Sequence, residues 1–87
     1  MKGFIEVHPV HVYCWNLTVH PAMSIKVNNI REFHPTLISY DSVNRGEKSE
    51  ETKYLHSCQM KIWSEKNSFD TLESYDEIKS LIEEASK

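Results

Sequence analysis

The alternation of apolar and polar residues predicts β-strands over most of the chain. Residues 53–65 alternate most regularly and place one residue set on each face, the period of a half-buried strand. Residues 23–27 alternate in the same way, with Met23, Ile25 and Val27 on the apolar face. Two further extended runs cover residues 4–15, interrupted by Pro9, and residues 30–40, where His34-Pro35 predicts a break or bend.

Polar segments separate these runs. Residues 16–22, which include Pro21, are predicted to turn the chain, and Asn28-Asn29 favours a tight turn because Asn tolerates positive φ. Residues 41–52 form the most polar stretch and are predicted to be a loop. Lys66-Asn67 is a candidate hairpin turn, followed by a short strand over residues 68–72.

The last part of the chain predicts a helix over residues 75–85. Ser74 and Glu77 have the spacing of a capping box, in which the Ser hydroxyl accepts a hydrogen bond from the Glu amide. The apolar residues that follow have the i, i+3, i+4, i+7 spacing of one buried stripe: Ile78, Leu81, Ile82 and Ala85. We expect this stripe to pack on the apolar faces of residues 23–27 and 54–62.

These elements predict an α+β fold, with one domain over residues 1–87. A curved antiparallel sheet of four or five strands lies within residues 4–72, and one C-terminal helix packs on it. The chain has 87 residues, of which 39% are hydrophobic, so a second domain is not expected and the core is thin.

Charge and cysteine content narrow the class of protein. The net charge is −3, from 13 acidic and 10 basic residues, so a basic footprint for nucleic acid is missing and such a partner is not expected. No apolar run is long enough to span a membrane and no signal sequence is recognised, which predicts a cytoplasmic protein without membrane contact. Cys14 and Cys58 are then expected to be reduced thiols.

Histidine is the enriched titratable residue, with five in the chain. The alternative of a metal site draws on its spacing with cysteine; the candidate ligands are His8, His11, Cys14, His56 and Cys58. Residues three apart on a strand point to opposite faces, however, so His8 and His11 diverge unless Pro9 introduces a bulge. Partly exposed histidines and small buried thiols are the simpler interpretation, and no metal or other cofactor is expected.

Catalysis is not expected either. His56 and Cys58 share one strand face, but a catalytic Cys–His pair also needs an orienting group and an oxyanion hole. Neither Gly3 nor Gly46 lies in a pattern that cradles an anion.

Aromatic residues at strand spacing offer a contact surface, for which Trp15, Tyr54 and Trp63 are the candidates. Such residues are also the stacking platform of small β-domains that bind single-stranded nucleic acid. Those platforms lie in basic grooves, whereas the lysines and arginines here are scattered. Core packing or a dimer contact is the favoured interpretation.

Three segments resemble a known family. Phe4-Ile5-Glu6-Val7, Ile25 to Ile30 and the segment from Phe69 to Ile78, with its E-S-Y-D-E-I sequence, are similar to the pattern of the small FlbD-like (SwrD-type) proteins of bacterial and phage genomes. The histidine- and aromatic-rich residues 10–21 and the polar residues 41–52 depart from that pattern. The resemblance implies action through protein partners and offers no catalytic residue.

The function expected from the sequence is a non-enzymatic protein–protein interaction module. Homodimerisation through an edge strand is expected, because a thin core gains from shared burial. The alternatives are a small metal-binding protein and a nucleic-acid-binding β-domain.

Overall fold

The computed structural model describes residues 3–41 and 52–86, and these residues form an α+β fold. Apart from its two end residues, the predicted polar loop 41–52 lies outside the described residues. The elements in chain order are β1 (Phe4–Val7), β2 (Pro9–Tyr13), β3 (Asn16–Val19), β4 (Met23–Lys26), a 3-10 turn (Val27–Asn29), β5 (Ile30–Asp41), β6 (Thr52–Ile62), β7 (Phe69–Thr71) and α1 (Tyr75–Ala85).

The strands form two antiparallel sheets. The main sheet has five strands in the order β3-β2-β7-β6-β5, and β1 pairs with β4 in a separate two-stranded sheet. Strand β3 also contacts β5, although three strands separate them in the order, so the main sheet is strongly curved. The predicted α+β class, with a helix packed on a curved antiparallel sheet, is confirmed, and the second sheet is an addition to it.

The hairpin of β5 and β6 is the longest pairing, from Ile30 opposite Ile62 to Asp41 opposite Thr52. The predicted break at His34-Pro35 is wrong: β5 continues through Pro35, which lies opposite Cys58. Because β5 is at the edge of the sheet, a residue without an N–H is tolerated there. The register changes instead between Ile30 and Glu32.

The turn predicted over residues 16–22 is wrong in its first half, because residues 16–19 form β3. The chain reverses earlier, at Cys14 and Trp15, whose φ angles are +50° and +68°. Tyr13 lies opposite Asn16, so the connection is a two-residue hairpin turn of the primed kind, which matches strand twist. Neither Cys nor Trp is a residue that favours such a turn, which explains why the sequence pattern misses it.

The helix is confirmed over its predicted range. The hydroxyl of Ser74 accepts a hydrogen bond of 3.3 Å from the backbone N–H of Glu77. Asp76 and Glu77 lie in the first turn, where the helix dipole favours negative charge. Ile78 and Ala85 are buried, and the other two residues of the stripe are partly buried against the same core.

The core lies between α1, the β1–β4 sheet and one face of β6. Its buried members are Ile5, Val7, Ile25, Cys58, Met60, Ile62, Ile78 and Ala85. The expectation that Met23 belongs to this core is wrong: it is the first residue of β4 and stays 36% exposed at the end of the small sheet. Tyr54 and His56 share a face with Cys58 but are exposed, since the helix begins beside His56 and covers only the residues beyond it.

Replacing Met60 by Ala tests this core. Met60 is completely buried, so the substitution should lower the free energy of unfolding by about 2–5 kcal/mol, measured by urea denaturation. Leu37→Ala is the matched control, because Leu37 is 56% exposed on the adjacent strand and should change stability by about 0.5 kcal/mol or less. Equal effects of the two substitutions would contradict the placement of the core.

Candidate functional site

Three large aromatic side chains are concentrated toward one end of the main sheet. Strands β2 and β6 are both antiparallel to β7, so they run in the same direction and their carboxyl ends lie toward the same end. Tyr13 and Trp15 stand at the end of β2, and Trp63 follows the last residue of β6. Their exposed fractions are 72%, 66% and 65%. We call Tyr13, Trp15 and Trp63 the aromatic end.

Backbone and side-chain contacts hold Trp63 in place. Its backbone N–H donates to the carbonyl oxygen of Asn29 at 2.8 Å. The side-chain amide of Asn29 donates to the hydroxyl of Ser64, the residue after Trp63, at 2.9 Å. The guanidinium of Arg31 lies 5.0 Å from the centre of the Trp63 ring, within the range of a cation–π interaction. The indole is therefore positioned, although it is exposed.

Tyr54, the third aromatic residue predicted for an interaction surface, lies elsewhere. It is 62% exposed but stands near the start of β6, nine residues before Trp63. At ~3.4 Å per residue the two positions are about 30 Å apart along the strand. Trp15 and Trp63 thus share an end of the sheet, and Tyr54 belongs to the opposite end.

The histidines are dispersed over several local contacts. His8, between β1 and β2, places its Nδ1 2.8 Å from Oε2 of Glu73, and its backbone N–H donates to Oε1 at 2.7 Å. His34 Nε2 contacts Oε1 of Gln59 at 2.7 Å. His56 is exposed and lines a cavity of about 250 Å³ beside the start of α1.

One pair of histidines does meet. His20 Nε2 lies 2.6 Å from His11 Nδ1, and the two ring centres are 4.7 Å apart. The predicted metal ligands His8, His11, Cys14, His56 and Cys58 are not brought together in this way. Among residues 3–41 and 52–86, no group of three or more His, Cys, Asp or Glu side chains has a geometry for a metal ion. His20 is not among the candidate ligands predicted from the sequence, because its contact with His11 depends on the register of the β2–β3 hairpin.

The two cysteines have contrasting surroundings. Cys14 is an exposed free thiol in the hairpin turn, and Cys58 is a fully buried free thiol in the core. Burial raises the pKa of Cys58 to about 11, and the nearby charge of Asp70 adds to this effect. Cys58 is therefore a protonated core residue, so its position beside His56 on one strand does not supply a thiolate nucleophile.

Asp70 is the carboxylate with a perturbed environment in the main sheet. It lies opposite Gln59 on one side and Val10 on the other. Burial raises its pKa above the ordinary value, and the nearby charge of His34 acts in the opposite direction. Gln59 and His34 are opposite each other as well, so these three polar residues form a row across β7, β6 and β5.

A groove of about 660 Å³ runs between β1 and α1. Five of its eight lining residues are acidic; the lining residues are Glu6, His8, Glu73, Asp76, Glu77, Ser80, Leu81 and Glu84. Four of these carboxylates lie within residues 73–84 and are close in the sequence, but the contribution of Glu6 depends on β1 lying beside the helix. That placement is a long-range contact with no local sequence signal.

The hairpin turn provides one test of this surface. Trp15→Gly should raise the free energy of unfolding by about 1 kcal/mol, because glycine adopts the positive φ of this position without the steric cost that a tryptophan incurs. Trp63→Ala is the control, since it removes an equally exposed indole from outside the turn and should give no such gain. Both are measured by urea denaturation, and a loss of stability in Trp15→Gly would contradict the strained turn.

The thiols provide a second test. At pH 8 a pKa of about 11 leaves only about a thousandth of Cys58 as thiolate, so a thiol reagent should modify Cys14 quickly and Cys58 only after unfolding. The variant Cys14→Ser should retain only the slow reaction. Two fast thiols in the folded protein would contradict the burial of Cys58.

The same pKa shift predicts a dependence of stability on pH. The unfolded thiol ionises near the ordinary cysteine pKa of 9.0, before the folded thiol, whose pKa is about 11. Between these values the unfolded chain binds fewer protons, so the Cys58 contribution to stability is lost as the pH rises. Cys58→Ala should show a smaller decrease over this range in urea denaturation, and an unchanged decrease would contradict the shift.

No helix in the described part of the chain is long and apolar enough to cross a membrane.

Comparisons with known proteins leave the family undetermined. The resemblance to the FlbD-like family remains a prediction. No protein-family model, curated protein or solved structure matches the chain.

Proposed function

We propose that this protein is a non-catalytic module that binds another protein through the aromatic end. It acts in the cytosol, where Cys14 and Cys58 remain free thiols. The observation that carries the proposal is the exposure of Tyr13, Trp15 and Trp63, each about two-thirds accessible or more, toward one end of a sheet.

The residue types support a protein contact. Tryptophan, tyrosine and arginine are enriched among the residues that contribute most to binding energy at protein interfaces. Here Arg31 lies over Trp63, so one such residue positions another. Because the aromatic side chains stand at strand ends and on a two-residue turn, little backbone freedom is lost when a partner binds.

The charge distribution argues against nucleic acid as the partner. The net charge is −3, and five of the eight residues that line the groove beside α1 are Asp or Glu. Single-stranded nucleic acid binds aromatic platforms that lie in positively charged grooves. The protonated, buried Cys58 argues against catalysis by a Cys–His pair.

A second copy of the chain is the simplest protein partner. Strands β3 and β5 form the edges of the main sheet, and homodimerisation by pairing of edge strands remains part of the proposal. Pro35 and the register change between Ile30 and Glu32 blunt the first half of β5, as edge-protecting devices do. The short strand β3 adjoins the aromatic end, but it also contacts β5 across the curved sheet, so a second copy would pair with the part of β3 that β5 leaves uncovered.

Paired tryptophan variants test the proposal. Affinity capture from the native host should recover a specific partner with the wild-type protein, and Trp15→Ser and Trp63→Ser should each lose most of it. Tyr54→Ser is the matched control, because Tyr54 is equally exposed at the opposite end of β6 and should retain the partner. Sedimentation velocity of the same proteins distinguishes a second copy from another protein.

Loss of the partner in Tyr54→Ser, with retention in both tryptophan variants, would contradict the aromatic end as the contact surface. Binding to single-stranded DNA or RNA in a mobility-shift assay at low salt would favour the nucleic-acid alternative, since electrostatic attraction is strongest there.

A further inference from the structure

We infer that His11 and His20 form a two-histidine site for a divalent transition-metal ion, and zinc is the ion used to test it. This site lies on the β2–β3 hairpin and does not depend on protein binding at the aromatic end. The observation is the 2.6 Å approach of His20 Nε2 to His11 Nδ1 between two exposed side chains.

The contact fixes the protonation of the two facing nitrogens. Two nitrogens at 2.6 Å share one hydrogen, so one of them donates and the other presents a lone pair. A neutral imidazole nitrogen is the commonest metal ligand in proteins. When the shared hydrogen moves to the other nitrogen of the donor ring, the hydrogen bond is lost and both facing nitrogens present a lone pair to the metal ion. Both rings stay neutral in this change.

The backbone holds the two residues at a suitable separation. His11 lies opposite Thr18 in the β2–β3 pairing, and His20 follows on the same face, diagonally across from it. The backbone N–H of His20 donates to the carbonyl oxygen of Pro9 at 2.8 Å. The positions of both histidines are thus set by hydrogen bonds between the strands.

The geometry suits zinc after a small side-chain movement. With zinc–nitrogen distances of ~2.0–2.1 Å in a tetrahedron, the two nitrogens lie about 3.3 Å apart. The pair needs to open to this value from 2.6 Å, and both side chains are exposed. Imidazole ligands favour zinc, copper and nickel over magnesium or calcium. Two protein ligands leave the other coordination positions to water.

The other histidines provide internal comparisons. His8 is engaged by Glu73 and His34 by Gln59, whereas His56 stands beside the start of α1. None of these three has a second imidazole in the contacts of the described residues. His34 and His56 are exposed, as His11 and His20 are, and so are matched controls for nonspecific binding.

Zinc titration of tag-free protein tests the site, with a chromogenic chelator as competitor. The wild-type protein should bind one zinc ion per chain. His11→Ala and His20→Ala should each weaken zinc binding by at least about tenfold. Loss of a residue that only supports a ligand already lowers metal affinity by about that factor, so loss of a ligand itself should cost no less. His34→Ala and His56→Ala should bind as the wild type does.

NMR signals of the imidazole nitrogens provide a second readout. It uses only the wild-type protein, so it does not depend on the folding of any variant. Zinc should shift the signals of His11 and His20 and leave those of the other three histidines in place. The inference is overturned if the wild type does not bind zinc at equimolar concentration. It is equally overturned if zinc shifts the signals of His8, His34 or His56 instead, or if Cys14→Ser weakens binding as much as His11→Ala does.

Discussion

The fold depends on a three-residue strand, β7, which joins the β2–β3 hairpin to the paired strands β5 and β6. Strand β7 pairs with β2 on one side and β6 on the other. Thr71, at its end, is fully buried; its hydroxyl contacts the carbonyl oxygens of Cys58 at 3.2 Å and Glu73 at 2.7 Å, and its own carbonyl accepts from the Ser57 hydroxyl. Every buried side-chain nitrogen and oxygen in the described residues has a partner. The junction is therefore polar but satisfied, the condition under which buried polar groups specify one arrangement.

Contacts around His8 extend this junction to the N-terminal strands. The Glu73 carboxylate binds both the backbone N–H and the ring of His8, and the backbone N–H of Leu72 donates to the His8 carbonyl at 2.7 Å. These bonds fix the position from which β2 departs. The β2–β3 hairpin carries two of the three aromatic residues and the histidine pair, so both proposed surfaces depend on the same junction.

The sequence predicts the local features of this fold well and the long-range features poorly. The helix follows from the capping residue Ser74 and a regular apolar stripe, both of which act within a few residues. The hairpin turn at Cys14 and Trp15 has no typical turn residues, so β3 and the meeting of His11 with His20 were not foreseen. Trp15 and Trp63 are both exposed, but their common end follows only from the strand order, which the sequence does not reveal.

Amide hydrogen exchange tests most directly whether β7 joins the β2–β3 hairpin rigidly to the core. If it does, the most protected amides of β2 and β3 should exchange with the same opening free energy as the amide of Met60 in β6, because they open only when the whole protein unfolds. Exchange of the β2 and β3 amides by a local opening several kcal/mol below that of Met60 would contradict the account. The hairpin would then be a separate, weakly attached unit.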